Sequence, residues 1–485
     1  MLKKVREKYI QMSANVRSGL WYTICSFVQK GISFITVPIF TRLLTTEQYG
    51  VVSIYYSWQS VLVVFCTLNL FSGVFNNGMI RYEEDRSTFL SSMQGLVTSI
   101  TIGFFIIYLI FHEWLNSLFE LDTPLMIFMF LEIVMSAAFS FWTARERFEV
   151  RYKKMVAITL IASFVAPFCS IMAIFVFSDQ SGAFSRIVAS AIVSILIYGI
   201  IYCNNFVKGK KFFQKEYWNY GLRFNLPLLP HYLSTLILNQ SDRLMISKMV
   251  SIEKAGIYSL SHNLAMVLNI LTTSVNNAFA PWLYEKLKKK DYKGVAQIGN
   301  ALFSLVAIAI LLLMAFAPEV ILIMGGEEYW EAIYVIPPLT ASLYFMFMYQ
   351  IFANVEFYFE ENKFITYASV CGSILNIILN YIFIQMFGYI AAGYTTLFCY
   401  IIFGTAHYLF MRKTISKNIN DKIKLFDIRF ITAIAAVLLL LSAYFIFTYE
   451  FVILRYFSIV LVLFFMFLRR KSLMKIVKKI KDKEI

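Results

Sequence analysis

Long apolar runs separated by short polar gaps recur along the whole chain. A helix that crosses a bilayer needs about 20 apolar residues. Segments 301–316 and 431–447 lack the apolar–polar alternation of a barrel strand, so each crossing is predicted to be a helix. The pattern predicts fourteen spans, at 18–40, 51–72, 88–111, 124–143, 155–177, 183–202, 225–247, 256–279, 295–317, 332–358, 364–386, 389–410, 429–448 and 452–468. The predicted fold class is therefore an all-α integral membrane protein.

The composition agrees with this interpretation. Of the 485 residues, 59% are hydrophobic and 15% are charged. Soluble domains have about 45–50% apolar and about 25% charged residues, so this chain belongs to the lipid-facing class. The net charge of +15 would also suit a nucleic-acid-binding protein, so the distribution of the charge has to decide.

Basic residues concentrate on one side of the predicted membrane. Of the 44 Lys and Arg residues, 36 lie in the N-terminal tail and every second gap after it, and three lie in or beside the other gaps. Since cytoplasmic loops retain basic residues, both termini are expected in the cytoplasm. The charge is then a topology signal that also attracts anionic membrane lipids, and no nucleic-acid partner is expected. The tail 469–485 is predicted to be a basic amphipathic surface helix or a solvated tail.

An internal repeat divides the chain. Segment 17–56 resembles 223–262 at an offset of 206, so that RLLTTEQYGVVS aligns with KMVSIEKAGIYS. Each segment opens a block of six spans on the cytoplasmic side, which predicts two parallel lobes that rock around a shared substrate cavity. The predicted domains are the tail 1–17, an N-lobe 18–210, a C-lobe 211–410, spans thirteen and fourteen with their preceding loop at 411–468, and the basic tail 469–485.

Polar side chains recur on one face of several spans. The first span has Ser18, Tyr22, Ser26, Gln29, Ser33 and Thr36, the eighth has Ser259, His262, Met266, Asn269, Thr273 and Asn276, and the eleventh has Ser369, Ser373, Asn376 and Asn380. Such stripes either join helices through hydrogen bonds or face water. Their presence in both halves favours a shared hydrated cavity.

Ionisable residues within the spans are the sharper signal, because each costs several kcal/mol unless it is paired or faces water. Lys30 lies in the middle of span one, beside the polar stripe. Asp242 and Arg243 lie in span seven, where neighbouring residues point about 100° apart and cannot simply pair with each other. Glu132 and Glu356 are weaker candidates for a cavity role.

Arg42 and Lys248 lie at the outer ends of spans one and seven. They are expected either to bind substrate or to extend their charges to the membrane interface.

Several of these features together resemble a known family. The N-terminal basic tail, the first span ending PIFTRLLTTEQYGVVSIY, the two six-span halves and the two extra spans are together similar to the polysaccharide (O-antigen or capsule repeat-unit) flippases. These belong to the multidrug/oligosaccharidyl-lipid/polysaccharide exporter superfamily. The resemblance implies a multi-pass protein of the bacterial inner membrane. It further implies that the protein moves undecaprenyl-diphosphate-linked oligosaccharide from the inner to the outer leaflet for surface polysaccharide synthesis.

The polar and basic residues of the spans suit such a cargo, because cations can replace the water and counterions that a diphosphate loses. The predicted substrate-binding residues are Lys30, Arg243, Arg42, Lys248 and Gln29. The expected partners are the lipid-linked oligosaccharide and membrane lipids, with a polysaccharide polymerase and glycosyltransferases as further candidates.

The predicted driving force for transport is an ion gradient. No Walker A motif, glycine-rich nucleotide loop or metal-ligand cluster is visible, so neither an enzyme nor a bound cofactor is expected. Oxygen ligands suitable for Na⁺ are predicted at Asp242, Asn376, Asn380 and Thr396. A lone Asp242 could instead carry H⁺, and Asn376 and Asn380 could merely join neighbouring helices.

Three other functions compete with this interpretation. A lipid II flippase has the same architecture, and a cation-coupled multidrug exporter belongs to the same superfamily. A membrane glycosyltransferase or polymerase would normally need a sizeable catalytic loop, whereas the longest outward gap has about 14 residues.

Overall fold

The computed structural model describes residues 12–420 and 422–468. Its regular secondary structure is entirely helical over these residues, which confirms the predicted fold class. The first nine helices are α1 (Ala14–Leu43), α2 (Thr46–Thr67), α3 (Gly73–Arg81), α4 (Arg86–Ile110), α5 (His112–Phe119), α6 (Thr123–Phe148), α7 (Tyr152–Val176), α8 (Gly182–Gly209) and α9 (Lys215–Asn225). The next nine are α10 (Leu229–Met249), α11 (Ile252–Lys288), α12 (Val295–Ala315), α13 (Ala317–Met324), α14 (Ile336–Tyr358), α15 (Asn362–Phe387), α16 (Ala391–Asn418), α17 (Ile428–Thr448) and α18 (Val452–Leu468).

Fourteen of these described helices have 17 residues or more, and they occupy the positions of the fourteen predicted spans. Eleven are long and apolar enough to cross a membrane when only the described residues are considered. The other three are α10, α11 and α18. The predicted surface helix at 469–485 lies outside the described residues.

Local capping moves the start of one span. The prediction placed span two at 51–72, but α2 begins at Thr46. The Thr45 side chain accepts a hydrogen bond from the Gln48 amide, and the Gln48 side chain accepts one from the Thr45 amide. This reciprocal capping satisfies amides that would otherwise lack partners in the first turn. The helix ends at Leu68, which has a left-handed backbone conformation.

The chain divides into two compact units, with the boundary between Leu236 and Ile237. Unit 1 has an aromatic core in which Phe75, Phe89 and Phe141 are completely buried and Tyr217 is nearly so. In unit 2 the central element is α14, which is buried along most of its length. Most side chains of α14 therefore lie inside the protein.

Ion pairs and hydrogen bonds join the loops at each end of unit 2. At one end Lys254 contacts Glu331 at 2.5 Å, and Tyr389 donates to the same carboxylate at 2.9 Å. The hydrogen bond from Lys254 lowers the pKa of the Glu331 carboxyl. At the other end Lys417 contacts Glu361 at 2.5 Å. The gaps that meet at each end are those that the sequence assigns to the same side of the membrane.

Candidate functional site

A buried carboxylate forms the centre of a polar cluster in unit 2. Asp242 lies on α10 and is 4% exposed. One of its oxygens accepts hydrogen bonds from the Tyr258 hydroxyl at 2.5 Å and the Thr396 hydroxyl at 2.9 Å. The other accepts from the Asn380 amide at 2.6 Å. Four helices, α10, α11, α15 and α16, therefore meet at one carboxylate.

Two amides on α15 extend the cluster. Asn376 and Asn380 are one helical turn apart, so they lie on the same face. The Asn376 oxygen accepts from Ser241 at 2.9 Å and from the Asn380 amide nitrogen at 3.3 Å. The Asn380 oxygen accepts a hydrogen bond from Thr395. We call Asp242, Tyr258, Asn376, Asn380, Thr395 and Thr396 the Asp242 cluster.

The structure thus brings together the four residues that the sequence grouped as a coupling site: Asp242, Asn376, Asn380 and Thr396. Sequence reasoning missed Tyr258 and Thr395. Thr395 is the neighbour of a predicted residue, and Tyr258 directly precedes the polar stripe of the eighth span. Both could have been found by asking which hydroxyls lie within one residue of the predicted polar positions.

The chemistry of the Asp242 cluster suits a small hard cation. It contains carboxylate, amide and hydroxyl oxygens, which are the ligands that such cations prefer. A carboxylate at membrane depth is costly unless its charge is compensated. In this structure the oxygens are satisfied by hydrogen bonds within the cluster, so a cation would replace some of these hydrogen bonds.

Arg243 contacts a different set of residues from its neighbour. It is half-buried, and one guanidinium nitrogen lies 2.6 Å from Nδ1 of His262. Another donates to the Gln240 oxygen at 3.3 Å. These contacts hold the guanidinium in place through its own polar partners, as the 100° separation of adjacent helix residues predicted.

Lys30 and Gln29 lie together on α1 in unit 1. Lys30 is exposed, and Gln29 is partly buried. Within the described residues the Lys30 ammonium makes no hydrogen bond or ion pair. Lys30 is thus an exposed cation on the middle turn of a predicted span. Its role in binding stays a prediction.

Arg42 and Lys248 lie at helix ends. Arg42 is exposed on the last turn of α1 and donates to the Pro38 carbonyl oxygen at 2.8 Å. It is twelve residues from Lys30, which is about 18 Å along the helix. Lys248 is exposed on the last turn of α10. Because of the separation along α1, Lys30 and Arg42 cannot contact the same phosphate group.

Glu132 is held inside unit 1. Its carboxylate accepts from the Gln59 amide at 2.6 Å and from the Tyr55 hydroxyl at 3.3 Å. Two side chains of α2 therefore hold the Glu132 carboxylate in place.

The chain is similar to proteins of two related groups. A family model described as polysaccharide biosynthesis protein matches residues 16–287, which is more than half of the chain, and a second model, MatE, matches residues 227–382. The Lsg locus protein 1 of Haemophilus influenzae is 26% identical over 380 residues, covering 74% of this chain and 88% of that protein. An uncharacterized membrane protein of Methanocaldococcus jannaschii is 22% identical over 444 residues, covering 84% and 86%.

Solved structures share the fold. The lipid II flippase MurJ in an inward closed conformation aligns with a TM-score of 0.72 at 16% identity, covering 93% of this chain and 99% of that chain. An inward-facing multidrug resistance transporter of the MATE family and MOP superfamily aligns with a TM-score of 0.56 at 14% identity, covering 81% and 94%. The fold is therefore that of flippases and exporters of this superfamily, which confirms the resemblance found in the sequence.

Proposed function

Since this chain belongs to the polysaccharide biosynthesis protein family, we propose that it is a flippase for undecaprenyl-diphosphate-linked oligosaccharide. It moves repeat units of a surface polysaccharide from the inner to the outer leaflet of the bacterial cytoplasmic membrane, with both of its termini in the cytoplasm. The observation on which the proposal rests is the fold shared with a lipid II flippase over 93% of this chain. The fold similarity to a multidrug transporter extends over 81% of this chain.

The exposed cation on α1 supports an anionic cargo. A diphosphate that leaves water needs charged donors in place of its hydration shell and counterions. Lys30 offers an ammonium that no described side chain neutralises. A cationic drug would favour carboxylates or aromatic faces instead. We assign Lys30 to the diphosphate, with Gln29 beside it as a hydrogen-bonding group.

We further propose that Na⁺ binding at the Asp242 cluster drives the cycle. Six oxygen-bearing side chains from four helices meet there, and cation binding would bring α10, α11, α15 and α16 into one arrangement. A ligand shifts a conformational equilibrium by its difference in affinity for the two states. Protonation of Asp242 is the alternative, and consumption of the product by a polymerase or glycosyltransferases is a further driving force.

Reconstitution tests the proposed cargo. Purified full-length protein in proteoliposomes should transfer a fluorescent undecaprenyl-diphosphate oligosaccharide between leaflets, as measured by the fraction that a membrane-impermeant quencher reaches. Lipid II, a labelled phospholipid and a cationic dye serve as competing cargoes. Preferential transfer of the oligosaccharide lipid supports the proposal. Preferential transfer of lipid II or export of the dye would replace it with one of the two related functions.

The multidrug exporter is the second candidate, because the MatE model matches residues 227–382. That segment includes Asp242, Asn376 and Asn380, so an exporter and a flippase would use the same coupling residues. The two candidates therefore differ in cargo and agree about the Asp242 cluster.

A further inference from the structure

A second buried ionisable pair lies in unit 2, separate from the Asp242 cluster. Glu356 on α14 and His407 on α16 are both 0% exposed. Nδ1 of His407 lies 2.9 Å from one Glu356 carboxylate oxygen and 3.0 Å from the other. Both residues lie near the cytoplasmic ends of predicted spans and inside the protein, where a charged group is costly unless it is paired.

The pair is well separated from the Asp242 cluster. His407 follows Thr396 by eleven residues on α16, which is about 17 Å along the helix. The predicted topology places Thr396 towards the outer face and His407 towards the cytoplasm. One helix therefore connects two ionisable sites at different depths.

One nitrogen of the imidazole has no hydrogen-bond partner among the described residues. Nε2 of His407 is buried and makes no hydrogen bond to any described residue. The ring is enclosed by aromatic side chains, with centroid distances of 4.6 Å to Tyr349, 5.3 Å to Phe364 and 6.0 Å to Phe403. A buried polar atom without a partner normally costs about 1–3 kcal/mol, so its retention calls for a functional reason.

Few described groups interact electrostatically with Glu356. Among the described groups, Glu356 interacts electrostatically with His407 and with the Tyr349 hydroxyl. Further along α16, Arg412 donates to the Ile423 carbonyl at 2.7 Å, and Lys417 pairs with Glu361. On α11, Tyr284 contacts Tyr358, which lies two residues after Glu356 on α14.

Nε2 of His407, which has no described hydrogen-bond partner, is the atom that can accept a proton. When Nδ1–H donates to the glutamate, a neutral imidazole leaves the Nε2 lone pair free, and the pair has a net charge of −1. Addition of one proton to Nε2 gives an imidazolium beside a carboxylate, and the net charge becomes zero. In a low-dielectric interior the change from a net charge to an internal ion pair is a large electrostatic event. One proton can therefore switch this site.

We propose that Glu356 and His407 form a proton-binding site through which transport responds to pH, in addition to the cation at the Asp242 cluster. The proton comes from the cytoplasmic water and is held on Nε2 of His407, and Glu356 balances its charge. This inference rests on the proposed transport function for its role in the cycle, but proton binding itself can be measured without any cargo.

Titration of the purified full-length protein tests proton binding directly. The chain has four histidines, so ¹⁵N-histidine resonances can be assigned by single substitutions. We expect the resonance that disappears in His407→Gln to change its chemical shift as the pair takes up a proton, and to respond at a different pH in Glu356→Gln. The Glu356→Gln amide still offers an oxygen to Nδ1–H, which preserves the packing. A His407 resonance that keeps one chemical shift from pH 5 to pH 9 overturns the proposal.

Flux measurements test the role of the pair in coupling. In proteoliposomes with equal Na⁺ on both sides, a tenfold proton gradient should change the wild-type rate. Glu356→Gln should lose this response and keep its response to a Na⁺ gradient. The matched control, Glu361→Gln, removes a carboxylate that pairs with α16 at the exposed end and should retain both responses. A full pH response in Glu356→Gln overturns the role of the pair. Absence of wild-type flux with every cargo would refute the proposed function alone, since the histidine titration needs no cargo.

Discussion

A charged residue inside a membrane protein acquires its role from the atoms that surround it. Asp242 and Arg243 are adjacent in sequence, yet Asp242 accepts hydrogen bonds from three other helices, and Arg243 contacts Gln240 and His262. Lys30 is exposed on its unit. The sequence predicts ion coupling for Asp242 and substrate binding for Arg243 and Lys30. In the structure Asp242 lies in a carboxylate cluster, the Arg243 guanidinium is held by polar neighbours, and Lys30 is exposed.

Replacement of Lys30 tests the assignment of the diphosphate. We expect Lys30→Ala to reduce flux about tenfold or more, because a hydrogen bond to a charged group contributes about 1.5–3 kcal/mol. Lys30→Arg should keep most of the activity, since it preserves the charge. The measurement is oligosaccharide-lipid flux at matched protein amounts, with Lys413→Ala as the control for loss of an exposed cation. Wild-type flux in Lys30→Ala would remove this residue from the site.

Replacement of Asp242 tests the coupling ion. Asp242→Asn removes the charge and keeps the shape, so it should abolish stimulation by a Na⁺ gradient and leave binding of the lipid head group largely intact. The readouts are flux with and without the gradient and equilibrium binding of the labelled lipid. Glu132→Gln, which changes a buried carboxylate of unit 1, should keep the Na⁺ response. A normal response in Asp242→Asn would contradict the ion site.

At the scale of helices, close approach explains residues that no hydropathy pattern identifies. Gly95 and Gly103 both lie on α4 and look alike in the sequence. A Cβ atom at Gly95 would lie 2.1 Å from the carbonyl oxygen of Phe212, a backbone atom that cannot turn aside. A Cβ atom at Gly103 would meet no atom within 4 Å. Gly95 therefore allows α4 to pass close to the loop at Phe212, whereas no neighbouring atom comes close to Gly103.

The two glycines make a matched pair of mutations. Gly95→Ala should destabilise the protein by about 1–3 kcal/mol, the usual cost of forcing extra volume into a packed contact. Gly103→Ala should be neutral or stabilise by up to about 1 kcal/mol, because alanine favours a helix. Thermal unfolding in detergent measures both. Equal midpoints for the two variants would show that α4 does not approach the 212 loop so closely.

At the scale of the whole molecule, the alternation of loops is a consistency test of the span count. Adding or removing one span between residues 254 and 331 would place Lys254 and Glu331 at opposite ends of the helices, and a change between residues 361 and 417 would do the same to Glu361 and Lys417. In the structure each pair is in contact. The orientation of these ends relative to the cytoplasm is predicted from the distribution of basic residues.

Cysteine labelling tests that orientation. In a background without the six native cysteines, Glu328→Cys in the loop before α14 should react with an impermeant thiol reagent added to intact cells. Lys417→Cys at the end of α16 should react only after the membrane is opened. Both positions are in polar segments, so accessibility to water is matched. Labelling of Lys417→Cys from outside would invert the predicted topology.

The sequence by itself determined the number and approximate bounds of the spans, because span length and hydropathy are properties of contiguous residues. It also indicated Asp242, because carboxylates within apolar segments are rare, and it grouped Asn376, Asn380 and Thr396 with it as oxygen ligands. Which of them meet depends on the rotation of each helix about its axis, and side chains as far as 154 residues apart share hydrogen bonds in the Asp242 cluster.

Only the tertiary structure showed that Tyr258 and Thr395 contact the predicted coupling residues and that Glu356 pairs with His407. The two members of that pair are 51 residues apart, and nothing in their local sequence relates them. The packing of α14 against α16 decides their contact, and aromatic rings surround the imidazole, one nitrogen of which has no partner in the described part of the chain. Hydropathy and charge therefore predict which segments cross the membrane, whereas the chemistry within it depends on which helix faces pack together.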